Sequence, residues 1–240
     1  MQFTDSHIHL QDYKEKNVQE IINDMKSLGF LNVVCASAKP DDWNYIAEIT
    51  INNADFVIPA FGVHPWYIKD VKQNWKDELN NFLIKFPNAL IGECGLDNLK
   101  ADNKEHQENI FKYHLELAKS LNRPVCIHAL KADNQIEKIL DMIPGKFMMH
   151  AFNGSIDFLQ KIVKHGGYIS LSASIKKKKN HIDILKATPI NKLLIESDGP
   201  YMSDYRDIFE FSTYIAKIKN IDKINFVKQI YQNFEEFCRG

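Results

Sequence analysis

The stretch Phe3-Thr4-Asp5-Ser6-His7-Ile8-His9 carries Asp5, His7 and His9 at alternate positions. Side chains two residues apart in an extended strand point the same way, so these three polar groups share one face. Burying imidazoles unpartnered among aliphatic side chains costs on the order of a few kcal/mol each. Two inward rings one residue apart can instead share a cation. For this segment alone, a pair of satisfied core histidines is the competing reading.

Outward from it, short β-branched runs alternate with longer helical patterns to the end of the chain. They predict strands at 3–9, 31–36, 56–62, 89–93, 124–128, 146–150, 168–171 and 192–196. Between them, Val18, Ile21, Ile22, Met25 and Leu28 recur at helical spacing, as do Ile110, Phe111, His114, Leu115, Ala118 and Leu121. Each set forms one apolar stripe able to pack on a sheet. Val227, Ile230, Tyr231, Phe234 and Cys238 repeat the pattern and predict a final helix. Eight strands alternating with helices define the expected fold class: α/β, a (β/α)8 TIM-type barrel. No linker-like or low-complexity segment interrupts residues 1–240, so we read one domain.

The predicted strands end on chemistry. Glu93 closes Ala89-Leu90-Ile91-Gly92-Glu93, His128 closes Pro124-Val125-Cys126-Ile127-His128, His150 closes Phe147-Met148-Met149-His150, and Asp198 follows Leu193-Leu194-Ile195-Glu196-Ser197. In such a barrel all carboxyl ends of strands open on one face, where active sites lie. His7, His9, Glu93, His128, His150 and Asp198 should therefore converge, and a mixed imidazole and carboxylate set suits divalent metal without choosing among Zn, Mn, Fe and Mg.

These segments resemble the TatD-type metal-dependent deoxyribonucleases of the amidohydrolase-like barrels along nearly the whole chain. The matching stretches are Asp5-Ser6-His7-Ile8-His9-Leu10, Gly62-Val63-His64-Pro65, Ile91-Gly92-Glu93-Cys94-Gly95-Leu96-Asp97, Arg123-Pro124-Val125-Cys126-Ile127-His128, His150-Ala151-Phe152-Asn153-Gly154-Ser155 and Ile195-Glu196-Ser197-Asp198-Gly199-Pro200-Tyr201. The resemblance implies two divalent cations, Mg, Mn or Zn. His7, His9, Glu93 and Asp198 would hold one, His128, His150 and a second oxygen of Glu93 the other. It also implies a hydrolase that cleaves phosphodiester bonds of DNA, with action from an end as one mode, and with a hydroxide activated by both cations as nucleophile. Asp198 would take the proton of that water, Glu93 would bridge the cations, and His64 would contact phosphate or donate a hydrogen bond in the transition state.

The chain departs from the family pattern in two places. The family's Arg-Asp pair after the fifth-strand histidine is replaced by His128-Ala129-Leu130-Lys131-Ala132, where Lys131 can act only as a point charge. The aromatic and arginine loop after Asp97 is replaced by Asn98-Leu99-Lys100-Ala101-Asp102-Asn103. The alternative is therefore hydrolysis of a non-nucleic-acid ester, amide or phosphate by the same site. A metal- or partner-binding barrel without catalysis is the third reading.

The remaining candidates have two readings each. Lys176 to Lys179 follow the seventh strand and can neutralise backbone phosphates or form a solvated face. Asn153 and Ser155 open the sixth-strand loop, where Ser155 reads as a helix N-cap. Trp66, Tyr67 and Tyr201 can stack on bases or pack under loops. Cys94 should face away from Glu93, and Cys126 should pack in the core below His128.

Composition limits partners. Lys and Arg number 30 against 31 Asp and Glu, a net charge of −1, so no global positive field draws in nucleic acid. DNA or another phosphodiester would need metal or a local basic patch. The amino terminus has no signal-like pattern, and no run approaches the about 18 apolar residues of a membrane span. Four scattered cysteines read as reduced thiols. We expect a cytoplasmic protein without a membrane role, and no protein partner is inferable.

Overall fold

Every residue of the first strand is buried, as a barrel stave covered by helices outside and side chains inside must be. In the computed structural model, which describes residues 1–239 apart from 15–16, 70, 101–102 and 144, the strands are β1 (Phe3–Ile8), β2 (Phe30–Ala36), β3 (Val57–Phe61), β4 (Leu90–Asp97), β5 (Val125–Leu130), β6 (Phe147–Met149), β7 (Tyr168–Leu171) and β8 (Leu193–Ile195). They form one parallel sheet in sequence order. β4 and β5 run past their expected ends because Gly95, Leu96 and Asp97 stay paired with His128, Ala129 and Leu130.

The barrel is nearly closed. Across the seam between β8 and β1, the Asp198 N–H donates to the His7 carbonyl at 2.9 Å and the His9 N–H to the Gly199 carbonyl at 2.8 Å. Asp5 adds a side-chain bridge, accepting from the Ser197 N–H at 3.0 Å and the Ser197 hydroxyl at 2.5 Å.

The helices are α1 (Val18–Ser27), α2 (Trp43–Asn52), α3 (Trp75–Lys85), α4 (Lys104–Leu121), α5 (Asp133–Glu137), α6 (Ile156–Lys164), α7 (His181–Ala187), α8 (Asp207–Lys219) and α9 (Lys223–Arg239). The expected stripes are their buried faces: Val18, Ile21, Ile22 and Met25 in α1, and Ile110, Phe111, His114, Leu115 and Ala118 in α4. Leu28 and Leu121 end up exposed at the helix ends. Ser155 caps α6, its hydroxyl accepting from the Phe158 N–H at 3.1 Å. Ala101 and Asp102 of the loop before α4 lie outside the described residues.

Two apolar clusters separate the outside of the barrel from its inside. Cys94 packs in the outer one, and Val34, Ile58, Leu90, Cys126, Met148, Tyr168 and Leu194 fill the inner one together with Phe234, Phe237 and Cys238 of α9. The last helix thus plugs the end of the barrel where strands begin. Two residues further along three strands the inner face turns polar: Cys126 gives way to His128, Met148 to His150 and Leu194 to Glu196. Period two carries the chain from an apolar floor to a polar mouth. No helix among the described residues is long and apolar enough to cross a membrane, and all four cysteines are free and buried.

Candidate metal centre

Glu93 reaches the mouth through an irregularity in its strand. β4 shifts register against β5 between Ile91 and Cys94, so Leu90 and Glu93, an odd number of residues apart, both face inward. Glycines allow the close packing this needs. Gly92 has φ +138, and a Cβ there would stand 2.6 Å from the Cys126 carbonyl. Gly95, at φ +148, lies so near the His128 backbone that any Cβ would collide with it.

Around the Glu93 carboxylate stand five imidazoles. Oε2 is 3.2 Å from Nε2 of His7 and 3.6 Å from Nε2 of His9. Oε1 is 2.9 Å from Nδ1 of His128, 3.3 Å from Nε2 of His64 and 3.6 Å from Nε2 of His150. Asp198 closes the ring, with Oδ1 3.3 Å from Nε2 of His9 and Oδ2 3.7 Å from Nε2 of His150. The six ligand positions expected from sequence are therefore together.

The donor set fits divalent cations. Nδ1 of His9 lies 2.8 Å from the Ala36 carbonyl, which only accepts, so Nδ1 carries a proton and Nε2 is the atom that can offer a lone pair to a cation. That lone pair is 3.2 Å from Nε2 of His7 and shares its space with oxygens of Glu93 and Asp198. Such a convergence of acceptors needs positive charge at its centre. Nε2 of His128 is buried, with the Asp97 carboxylate 3.5 Å away, and its Nδ1 faces Glu93 at 2.9 Å. Three-donor groups within 4.8 Å are His7, His9 and Asp198; His64, Glu93 and His128; and His7, His150 and Glu196. Around the second expected cation the structure thus groups His128 with His64 and Glu93, while His150 stands between Glu93 and Asp198.

Electrostatics follow from this crowding. Burial works to raise Glu93 and Asp198, but the surrounding histidines outweigh it and hold both carboxyls below their ordinary range. Burial works to lower His150, yet the charges of Glu196, Glu93 and Asp198 push it up to about 10. His9 and His128 are also raised against burial, by Asp198 and Glu93 for the first and by Asp97 and Glu93 for the second. His64 is the opposite case, lowered by burial to about 3 and therefore neutral. The Trp66 N–H donates to its Nδ1 at 3.1 Å, which leaves the proton on Nε2, facing the site.

Three carboxylates support the ligands: Asp5, which the sequence already places on the face of His7 and His9, and Glu196 and Asp97, to which strand ends do not point. Glu196 is fully buried, accepts from the Ala151 N–H at 2.6 Å and the Ser170 hydroxyl at 2.5 Å, and stands 3.0 Å from Nδ1 of His150. Asp97 accepts from the Trp66 indole at 2.5 Å and lies 3.5 Å from Nε2 of His128. Asp5 accepts from the His7 N–H at 3.1 Å, and burial raises it to about 7. Asp5 and Glu196 share the parity of His7 and Asp198, a signal available in the sequence. Cys126 belongs to the inner core as expected, but its Sγ also lies 3.1 Å from Nδ1 of His7 and steadies that ring from below.

The centre opens into a cavity of about 770 Å³ whose walls include His64, Trp66, Tyr67, Asn153, Lys177 and Tyr201. Lys131 lines a second cavity beside it. Lys176 is placed elsewhere: its ammonium pairs with Glu210 of α8 at 3.1 Å and stands 5.0 Å over the Tyr214 ring. The first two lysines of the run lie in a 3-10 helix, Ala173–Lys177, in which Ile175 is buried. This turns Lys176 toward α8 and leaves Lys177 and Lys178 to face the cavity.

An (β/α)8 barrel with this cluster at the carboxyl ends of its strands defines the class of metal-dependent hydrolases. The chain belongs to the TatD-related DNase family, whose family model matches residues 4–239. It is 29% identical to an uncharacterized metal-dependent hydrolase of Buchnera aphidicola over 96% of this chain and 93% of that one. It is 35% identical to the 3'-5' ssDNA/RNA exonuclease TatD of Escherichia coli over 59% of this chain and 57% of that one. The fold matches the crystal structure of YJJV, a TatD homologue from Escherichia coli, with a TM-score of 0.90 at 19% identity, covering 99% of this chain and 98% of that one.

Proposed function

We propose that this hydrolase is a deoxyribonuclease that cleaves phosphodiester bonds of single-stranded DNA, working from an end, with two divalent cations. The observation that carries the reading is the convergence of five histidines, Glu93 and Asp198 on one open cavity that also presents Lys177 and Lys178. His7, His9, Glu93 and Asp198 would hold one cation, and Glu93 with His128 and His150 would hold the other. When bound, such cations lower the pKa of a water and offset charge on phosphoryl oxygens.

Asp198 accepts the proton of the attacking water, its carboxylate kept ionised by the histidines around it. The water oxygen bonds to phosphorus as the bond to one nucleoside oxygen breaks; that oxygen leaves and takes a proton from solvent, to which Asp198 returns the one it accepted. His64, neutral with its proton on Nε2, donates a hydrogen bond to a phosphoryl oxygen, adding to transition-state stabilisation without titrating near neutrality. Trp66 and Tyr201, both partly exposed beside the cavity, offer faces on which bases stack.

The second reading, hydrolysis of a carboxylic ester, amide or phosphate monoester, is favoured by one placement: Lys176 is committed to Glu210 and away from the site. Turnover of end-labelled single-stranded DNA beside p-nitrophenyl esters, amides and phosphate monoesters separates the two. Shortening of DNA at a rate well above the others is the expected result, and DNA left intact while an ester is consumed sinks the nuclease assignment.

A further inference from the structure

Beside the catalytic cavity lies a second one of about 510 Å³, within the size range of ligand sites. Its polar lining comes from Lys131, Asn134, Asn153, Ser155, Lys178 and Asn180. The two cavities share Ala129, Leu130, Asn153 and Lys178, so they lie side by side with these residues as the wall between them. Asp133 is the one acid among the described residues lining the annex, set against two lysines.

The Lys178 ammonium and the Lys131 backbone are each held in place by their surroundings. Lys178 donates to the carbonyls of Asn153 and Gly154 at 2.6 and 2.8 Å, tying the loop after β7 to the loop after β6. Lys131 sits in the left-handed region at φ +55, a conformation that disfavours a side chain with a Cβ. Asn98 fastens it there, its amide donating to the Lys131 carbonyl at 2.6 Å. Burial lowers the proton affinity of Lys178, Asp133 works against this, and the nearby charge of Lys131 adds to the lowering. A strained residue that presents a cation next to a second cation is suited to an anion shared between them.

Resting on the nuclease reading, we propose that this annex binds the backbone phosphate adjacent to the scissile one, with Lys131 as its principal contact. A strand whose scissile phosphate lies at Glu93 crosses the Ala129 and Leu130 wall, and its next phosphate lies against Lys131. Phosphate contacts position a strand without reading bases. The annex therefore makes the enzyme sensitive to chain length and indifferent to sequence, and the remote contact aids cleavage of the reacting bond.

The test is steady-state cleavage, in Mg or Mn, of di-, tri- and tetranucleotides of two unrelated sequences. In the natural protein kcat/KM should rise on the order of tenfold from the dinucleotide to the longer strands, the equivalent of one charge-assisted contact. Lys131→Gly, which suits the left-handed backbone, should lose that gain while its Tm stays at or above that of the natural protein, and Lys131→Arg should keep most of it. Equal kcat/KM at all lengths, or a gain that survives Lys131→Gly, overturns the annex proposal alone. If no oligonucleotide is cleaved while p-nitrophenyl esters are, the nuclease reading falls and the annex proposal with it.

Discussion

Nδ1 of His150 stands 3.0 Å from Oε1 of Glu196, a carboxylate with no exposed surface that is itself held by the Ala151 N–H and the Ser170 hydroxyl. The pair leaves Nε2 of His150 aimed between Glu93 and Asp198. A carboxylate behind a ligating imidazole fixes the ring and raises its basicity. Glu196→Gln should lower cation affinity or activity by about 10- to 100-fold with the fold retained. Competition with a coloured chelator measures the affinity, and an unchanged value removes Glu196 from the site.

Binding of cations should stabilise the protein. At a concentration about 100 times its dissociation constant, a ligand that binds only the folded chain adds roughly 2.7 kcal/mol. For a chain of this size that raises Tm by roughly 5 to 10 °C. Thermal scans of chelator-stripped protein with and without Mn or Zn should display the shift, and Glu93→Ala should suppress most of it. A shift of equal size in that variant places the cations elsewhere.

His114 in α4 gives stability an acid limb. Its Nδ1 donates to the Ile110 carbonyl at 2.7 Å, its Nε2 accepts from the Val63 N–H at 3.2 Å, and burial lowers its pKa from 6.5 to about 4. The unfolded chain binds this proton at a higher pH than the folded one. The contribution is therefore complete above the unfolded value and is lost as pH falls through about 4, amounting to about 3 kcal/mol. Urea unfolding at about pH 7.5 and about pH 4.5 should show a smaller pH effect in His114→Leu than in the natural protein. Parallel curves for the two proteins contradict this assignment.

Phe237 closes the floor of the barrel against the inner core with no exposed surface. Phe237→Ala should cost about 3 to 5 kcal/mol of stability. Because the floor lies beneath the polar layer, activity per folded molecule should change little. Denaturant midpoints and kcat on the same preparation check both halves.

How much was legible in the sequence depended on how regular the backbone is. His7 and His9 follow strict alternation, and His128, His150 and Glu196 each stand two residues beyond an apolar inner side chain, so period two leads to them. Glu93 was found as a strand end, but its inward direction depends on the register shift in β4, which alternation does not foresee. Lys176 turns to Glu210 because the run begins inside a 3-10 helix, where neither strand nor α-helical period says which lysine faces the cavity. The stripe of α9 was evident, whereas its service as a plug is a tertiary fact that periodicity does not contain. Asp97 lies in an extension of β4 sustained by pairing with β5, beyond where the apolar run ended.

In the proposed mechanism Glu93 would join two cations in one phosphodiesterase centre. The decisive measurement is a titration of stripped protein with Mn, with bound metal and cleavage of end-labelled single-stranded DNA followed in the same samples. Expected are no shortening without metal, full activity only as the second equivalent binds, and neither second-site binding nor cleavage in Glu93→Ala. Cleavage at full rate by the stripped protein, or by Glu93→Ala, rules this centre out.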